Sequence, residues 1–140
     1  KPLADMDFDD LARTYDTNAI GALRVTRALL PHLRRGSARR IVMISSSLGS
    51  VEEDTNSGCY GYRMSKAALN IASKNLAIDL RPEGFTVLIV HPGWVQTAMG
   101  GPTAPTTVQE SVAGLLEQID RRSLADTGTL FDLTGKAVPW

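Results

Sequence analysis

Arg40-Ile41-Val42-Met43-Ile44-Ser45-Ser46-Ser47-Leu48-Gly49 and, further on, Thr86-Val87-Leu88-Ile89-Val90-His91-Pro92-Gly93 decide the fold of this chain. Each opens with a short, nearly continuous, β-branched apolar run, the pattern of a strand buried on both faces. The first run ends in hydroxyls, and the second ends where Pro92 and Gly93 forbid simple continuation. Between them Glu52 to Gly58 reads as polar loop. From Cys59 to Leu80 the residues Ala67, Ala68, Ile71, Ala72, Asn75, Leu76 and Leu80 keep helical spacing until Arg81-Pro82-Glu83-Gly84 stops them. Strand, long helix and strand make a βαβ crossover, right-handed by strong precedent.

The flanks extend the same architecture. Asp7-Phe8-Asp9-Asp10 supplies an N-cap and first-turn acids, and Leu11, Tyr15, Ala19, Ala22, Leu29, Leu30 and Leu33 continue a helical stripe. The spacing predicts one long helix, roughly 8–34, with a kink or restart near Ala28 to Pro31, where Pro31 removes a backbone donor. Gly100 to Pro105 reads as a flexible segment. Beyond it Thr106 or Thr107 caps a helix running to about Arg122, and Thr129 to Leu133 reads as a last strand. No repeat or low-complexity tract interrupts the pattern, so the chain is part or all of one α/β layer structure. Ligands of such sheets sit beyond the carboxyl ends of the strands, here Ser45 to Gly49 and His91 to Thr97.

Composition narrows the function. With 15 basic and 15 acidic residues among 140, the net charge of zero argues against a nucleic-acid partner, and 43% apolar residues argue against disorder. No apolar run approaches the ~20 residues of a membrane span. Cys59 is the only cysteine, which excludes an intramolecular disulfide and a multi-thiolate metal site, and fits a reducing, cytoplasmic compartment. His32 reads as a helix-end or surface residue and His91 as a support for the turn at Pro92, so no metal ligands are expected. Cys59 and Met64 read as packing or loop residues. Lys1-Pro2-Leu3 shows neither an initiator Met nor a secretory signal and reads as an entry in mid-chain.

The chemistry centres on Tyr62-Arg63-Met64-Ser65-Lys66. Four residues apart near a helix start, the phenol and the ammonium project from one face. A Tyr hydroxyl with an ordinary pKa near ~10 becomes a more useful acid or base at neutral pH beside a cation that favours phenolate. Sixteen residues before Tyr62, Ser46 ends a buried strand at the ligand edge, and after the next strand comes Pro92-Gly93-Trp94-Val95-Gln96-Thr97.

Asn18 in a long helix, Ser46 in Ile-Ser-Ser-Ser-Leu-Gly, Tyr62 and Lys66 in Tyr-x-x-x-Lys, and the Pro-Gly-x-x-x-Thr turn together resemble the short-chain dehydrogenase/reductase family. The resemblance covers essentially the whole chain. Ser-Leu-Gly-Ser, Tyr-Gly-Tyr-Arg-Met-Ser-Lys-Ala-Ala-Leu-Asn, His-Pro-Gly-Trp-Val-Gln-Thr-Ala-Met-Gly-Gly and Val-Pro-Trp look most like the sniffer-type and C-factor-like carbonyl reductases. The resemblance implies that Tyr62 exchanges a proton with a carbonyl or alcohol oxygen while hydride moves to or from a nicotinamide ring. It implies that Ser46 hydrogen-bonds the same oxygen; Ser45 and Ser47 are rivals, but Ser46, three before Gly49, matches the family's spacing. Lys66 would lower the phenol pKa and grip the ribose, and Asn18 would hold a water linking Lys66 to solvent. Pro92, Gly93, Val95 and Thr97 would hold the nicotinamide carboxamide. NADP(H) is favoured over NAD(H), and the implied partner is a small carbonyl or secondary alcohol. Three of these residues have blander uses beside the implied ones: Ser46 closing its strand on local backbone, Asn18 facing solvent, Thr97 capping a turn.

The family's dinucleotide site opens with a strand, a Gly-rich turn and a helix. No such turn occurs here, and the family's Asn-Asn-Ala-Gly segment is also missing. Residues 1–140 are therefore expected to be the carboxyl-terminal part of a doubly wound, parallel-sheet Rossmann-type α/β fold, without its first βα units. Strand 41–45 then has an open apolar edge, so the isolated chain is expected to fold poorly or to form homo-oligomers, and to bind cofactor weakly. The segment from Ser46 to Tyr62, slightly longer than the family's common spacing, is placed at the substrate entrance. A non-catalytic dinucleotide-binding or signalling protein of the same fold, or an inactive fragment, is the alternative. An epimerase or dehydratase does not fit the short tail after Thr97, and a serine hydrolase does not fit a chain without a Gly-x-Ser-x-Gly elbow.

Overall fold

A computed structural model describes residues 3–54 and 57–140; Lys1, Pro2, Thr55 and Asn56, and with the last two the middle of the Glu52 to Gly58 loop, lie outside the described residues. Helix α1 (Phe8–Tyr15) starts at Asp7, whose carboxylate accepts from the backbone N–H groups of Asp9 and Asp10. It runs through a π-helical segment, Asp16–Ile20, into α2 (Gly21–Arg35). Strand β1 (Arg40–Ile44) leads through a 3-10 turn at Ser47–Gly49 to α3 (Tyr60–Leu80) and β2 (Thr86–His91). Helix α4 (Val108–Arg121) and β3 (Thr129–Asp132) complete the chain.

The expected break at Pro31 is not where the long helix departs from regularity. Pro31 lies inside α2. It and Arg27, whose carbonyl loses its partner, are exposed, so water can satisfy that carbonyl and the helix continues. The irregularity falls at Asp16–Ile20, where the Gly21 N–H reaches back five residues to the Asp16 carbonyl.

The three strands are parallel in the order β1-β2-β3. Helices α2 and α3 cover one face: Ile41, Met43, Val87, Ile89 and Leu130 pack there with Leu69, Ala77 and Leu80, and with Leu30 and Leu33 at the margin. Helix α4 covers the other through Leu115, which meets Leu88, Val90 and Phe131. Phe85, Val87, Leu88, Ile89 and Val90 are wholly buried, each worth roughly 1.5–3 kcal/mol by transfer from water. Thus β2 is buried on both faces as its composition predicts. β1 is not: Ile41 and Met43 are buried, but Ile44 on the α4 side is 52% exposed. The same apolar pattern has different surroundings because α4 meets β1 only toward its start, where the Arg40 guanidinium donates to the Ile119 carbonyl at 2.9 Å and Val42 packs beside the Leu115 cluster, and leaves Ile44 uncovered.

The outer edge of β3 is covered by the chain's own return, with Asp132 N–H donating to the Lys136 carbonyl and Val138 N–H to Leu130. β1 is paired on one side only, and its free edge opens on a groove of about 650 Å³ lined by Ala22, Val25, Leu29 and Leu33 of α2.

Candidate active site

The site begins where β1 ends. Ser45 continues the ladder through its N–H to the Val90 carbonyl, 2.8 Å, and its buried hydroxyl donates to the Asn70 side-chain oxygen on α3. That commits the Ser45 proton to a bond within the protein. Ser46 is extended and 7% exposed; its Oγ accepts from the Leu48 N–H at 3.2 Å, so the strand-closing bond is present. Its own O–H proton is not used by that bond. The turn is then pressed onto α3 at Gly49, where a Cβ would lie 2.8 Å from the Lys66 carbonyl carbon and 2.9 Å from the Ala67 nitrogen. This close approach fixes Ser46 relative to the turn of α3 that carries Tyr62 and Lys66.

Tyr62 and Lys66 sit on the first turns of α3, which starts one residue later than the spacing indicates. Cys59 takes the N-cap position in a left-handed conformation, φ 52°. The Lys66 ammonium lies 5.6 Å from the Tyr62 ring centroid and donates at 2.9 Å to the carbonyl of Ile44, the last residue of β1. One N–H is thus spent anchoring the side chain, and the others remain for a ligand. Partial burial lowers the Lys66 pKa. Across the gap the π segment turns Asn18 toward α3, where its Nδ2 donates at 3.0 Å to the Ser65 hydroxyl, which in turn donates at 2.8 Å to the Tyr62 carbonyl. Asn18 is therefore not a solvent-facing residue of a polar stripe.

Asn18, Tyr62 and Lys66 line one cleft of about 650 Å³, with Leu11, Cys59 and Met99 on its walls. Ser46 and the Pro92 to Thr97 turn do not line it; they form a separate group at the carboxyl ends of β1 and β2. In that turn the Pro92 carbonyl accepts from the Ser111 hydroxyl at 2.6 Å, and Gly93 has φ 86°, with a would-be Cβ 2.6 Å from Leu133. Trp94 and Gln96 exchange backbone bonds with Thr106, which places Val95 beside it. Thr97 Oγ1 accepts from the Gly100 N–H at 3.1 Å, the turn-capping use. The Trp94 indole N–H binds the Gly100 carbonyl and the Gln96 amide the Ala104 carbonyl, so the stretch expected to be flexible is tied back onto the turn. Thr107, of the two candidates, caps α4, completed by Glu110 in a capping box.

His91 ends β2 in register with Asp132 of β3. Its Nδ1 is buried without a hydrogen-bond partner, and burial lowers its pKa against the opposing charges of Asp132 and Glu53. Among the described residues no group of His, Cys, Asp and Glu is arranged to hold a metal ion. No helix among them is long and apolar enough to cross a membrane.

Residues 1–107 match the short chain dehydrogenase family. The chain belongs to that family. It is 51% identical over 138 residues to C-signal of Myxococcus xanthus, covering 99% of this chain and 83% of C-signal. It is 32% identical to 1-hydroxy-2-glutathionyl-2-methyl-3-butene dehydrogenase of Rhodococcus sp. (strain AD45), over 99% of this chain and 62% of that protein. The chain superposes on carbonyl reductase Sniffer of D. melanogaster with a TM-score of 0.96 at 31% identity. It superposes on the NADPH-bound carbonyl reductase from chicken fatty liver with a TM-score of 0.93 at 32% identity. All of this chain is covered in both superpositions, and 61% of each reductase. The dehydrogenase fold expected from the sequence is thus the one these reductases have.

Sequence reasoning missed two contributors to the site. The Ile44 carbonyl, as the anchor of Lys66, is a backbone atom and has no signature in residue type. Ser65 lies inside the Tyr-x-x-x-Lys motif at a position the motif leaves open, and its only signal is a hydroxyl on the face of α3 that turns inward.

Proposed function

We propose that this chain carries the proton-transfer half of an NADPH-dependent carbonyl reductase, with Tyr62 as general acid in reduction and general base in alcohol oxidation. The observation that carries the reading is the Lys66 ammonium, held by the Ile44 carbonyl 5.6 Å from the Tyr62 ring in a cleft shared with Asn18. A cation so placed stabilises the phenolate left when Tyr62 gives its proton to the carbonyl oxygen. Ser46, with its O–H uncommitted, donates to the same oxygen and stabilises the charge that develops there. Asn18 closes the opposite wall and orders the water through which Lys66 exchanges its proton with solvent.

The donor set suits a nicotinamide dinucleotide. Lys66 keeps N–H groups for ribose hydroxyls, and Pro92, Gly93, Val95 and Thr97 form a rigid turn at the carboxyl ends of the strands, where such rings bind. When bound, the cofactor supplies hydride to the carbonyl carbon. NADP(H) is preferred to NAD(H) because the chicken reductase and a Burkholderia multivorans dehydrogenase/reductase of similar structure are NADPH- and NADP-bound. The 140 residues span 61% of the reductases and hold no Gly-rich turn; the pyrophosphate and adenosine subsites belong to the remaining portion of the fold. Residues 1–140 are thus read as the carboxyl-terminal part of one Rossmann-type domain.

The experiment is NADPH oxidation by the full-length protein against a panel of aldehydes and ketones. Tyr62→Phe should lower kcat by about 10²–10⁴-fold with the NADPH Kd nearly unchanged. Retained turnover by Tyr62→Phe refutes the assignment. A second reading, a dinucleotide-binding signalling protein, draws on the 51% identity to C-signal; it is favoured if NADPH binds but no carbonyl in the panel is reduced.

A further inference from the structure

Ser65 is wholly buried, so its hydroxyl has to find partners within the protein. It finds two, in different elements. Its proton goes to the Tyr62 carbonyl three residues earlier in α3, at 2.8 Å, and its lone pair accepts from Asn18 Nδ2, forty-seven residues away, at 3.0 Å. A hydroxyl has one proton to give. With that proton spent on Tyr62, only the NH₂ end of the Asn18 amide can face Ser65, which sets both the rotamer and the sense of the amide.

The π segment makes this bond available. A regular helix from Phe8 to Arg35 would carry Asn18 at a different phase; the extra residue at Asp16–Ile20 turns it onto α3 while Ala19 stays buried beside it. The bond therefore closes between an irregular turn of one helix and the single turn of another that bears Tyr62 and Lys66. We propose that Ser65 is a positioning residue that locks Asn18 to the Tyr62 and Lys66 turn and so sets the width and polarity of the catalytic cleft. This rests on the reductase reading of that cleft. Ser65 touches neither substrate nor cofactor; it acts through Asn18 and through the Tyr62 backbone. Sites of this kind hold their geometry to within about half an ångström, so loosening one wall lowers turnover more than it weakens binding.

The test uses Ser65→Ala, Ser65→Thr, Asn18→Ala and the Ser65→Ala/Asn18→Ala double variant of the full-length protein. Three readouts apply: steady-state kinetics with NADPH and a carbonyl, urea denaturation, and hydrogen exchange of the Asn18 side-chain amide by NMR. Ser65→Ala is expected to lower kcat about tenfold with the NADPH KM little changed and to accelerate Asn18 amide exchange. The double variant should be no worse than Asn18→Ala alone, and Ser65→Thr, which keeps the hydroxyl, should recover most of the loss. Additive effects of the two single changes on kcat and on the urea midpoint, or an unchanged exchange rate in Ser65→Ala, overturn the proposal. If the wild type reduces no carbonyl, the reductase reading fails by itself. The non-additive urea midpoints and the exchange rate then still decide whether Ser65 holds Asn18.

Discussion

Gly49→Ala isolates the contact that ties the Ser46 turn to α3. An added methyl would meet three atoms of α3 at 2.8, 2.9 and 2.9 Å, two of them backbone, where ordinary contact begins at 3.4 Å. Helix α3 is pinned along its length by Leu69, Ala77 and Leu80 in the core, so it is the turn that gives. Restoring contact moves the turn by about 0.6 Å, the difference between 3.4 and 2.8 Å. Overpacking of this kind costs about 1–3 kcal/mol. At about 2–4 °C per kcal/mol for a protein of full reductase length, Tm falls by about 2–12 °C. Ser46 moves with the turn, away from the oxygen it is proposed to serve. Since a 1 Å misplacement costs about a hundredfold, the expected loss of kcat/KM is roughly ten- to a hundredfold. Differential scanning calorimetry and NADPH-linked kinetics read the two effects. Gly61→Ala is the control: its methyl meets the movable side chain of Leu11 at 3.2 Å, and alanine favours a helix, so Tm should hold or rise. A Gly49→Ala protein with wild-type Tm and kcat/KM would refute the reasoning.

Lys66→Met removes the ammonium that is to hold the ribose, and the NADPH Kd by nicotinamide fluorescence should rise about tenfold or more, as for a lost charged hydrogen bond; an unchanged Kd disproves that role. Because burial lowers the Lys66 pKa, the unfolded state binds more protons between the lowered folded value and the ordinary one near ~10.4. Stability therefore rises with pH through that window, and Lys66→Met should flatten the rise in a series of urea midpoints. His91, also lowered by burial, makes the unfolded state bind more protons below about pH 6.5. Stability should fall as pH drops from about 6.5 to 5, and less so in His91→Gln; parallel curves for the two proteins would count against a buried, neutral His91. The isolated 140-residue chain should self-associate through the free edge of β1, and Ile44→Lys, a charge on the exposed end of that strand, should shift it toward monomer in sedimentation velocity; a wild-type chain monomeric at high concentration contradicts this.

Much of the architecture is legible from local chemistry. The strands at 40–44 and 86–91, the helix carrying Tyr62 and Lys66, and the capping of α4 follow from apolar runs, helical spacing and a Thr three residues before Glu110. Local rules mislead where they meet surroundings they do not encode. Pro31 does not end its helix, since the carbonyl it leaves open is exposed where water can satisfy it, and the π turn at Asp16–Ile20 adds one residue without altering the stripe that reads as helix. The apolar runs of β1 and β2 are nearly alike in composition, yet Ile44 is half exposed and Val90 fully buried, because α4 covers the end of β2 but meets β1 only at Arg40 and Val42.

The candidate site divides the same way. Tyr62 and Lys66 are legible because one helix brings residues four apart onto one face, whatever the rest of the chain does. The preference for Ser46 over Ser45, read from spacing, gains a structural argument from the bond that occupies the Ser45 proton at Asn70. The anchoring of Lys66 by the Ile44 carbonyl, the seat of Gly49 against α3 and the Asn18–Ser65 bond each join elements 17 to 47 residues apart in sequence. Periodicity and motif spacing report what a residue does to its own helix or strand. Which hydroxyl meets which amide depends on how those elements pack, and only the tertiary structure decides that.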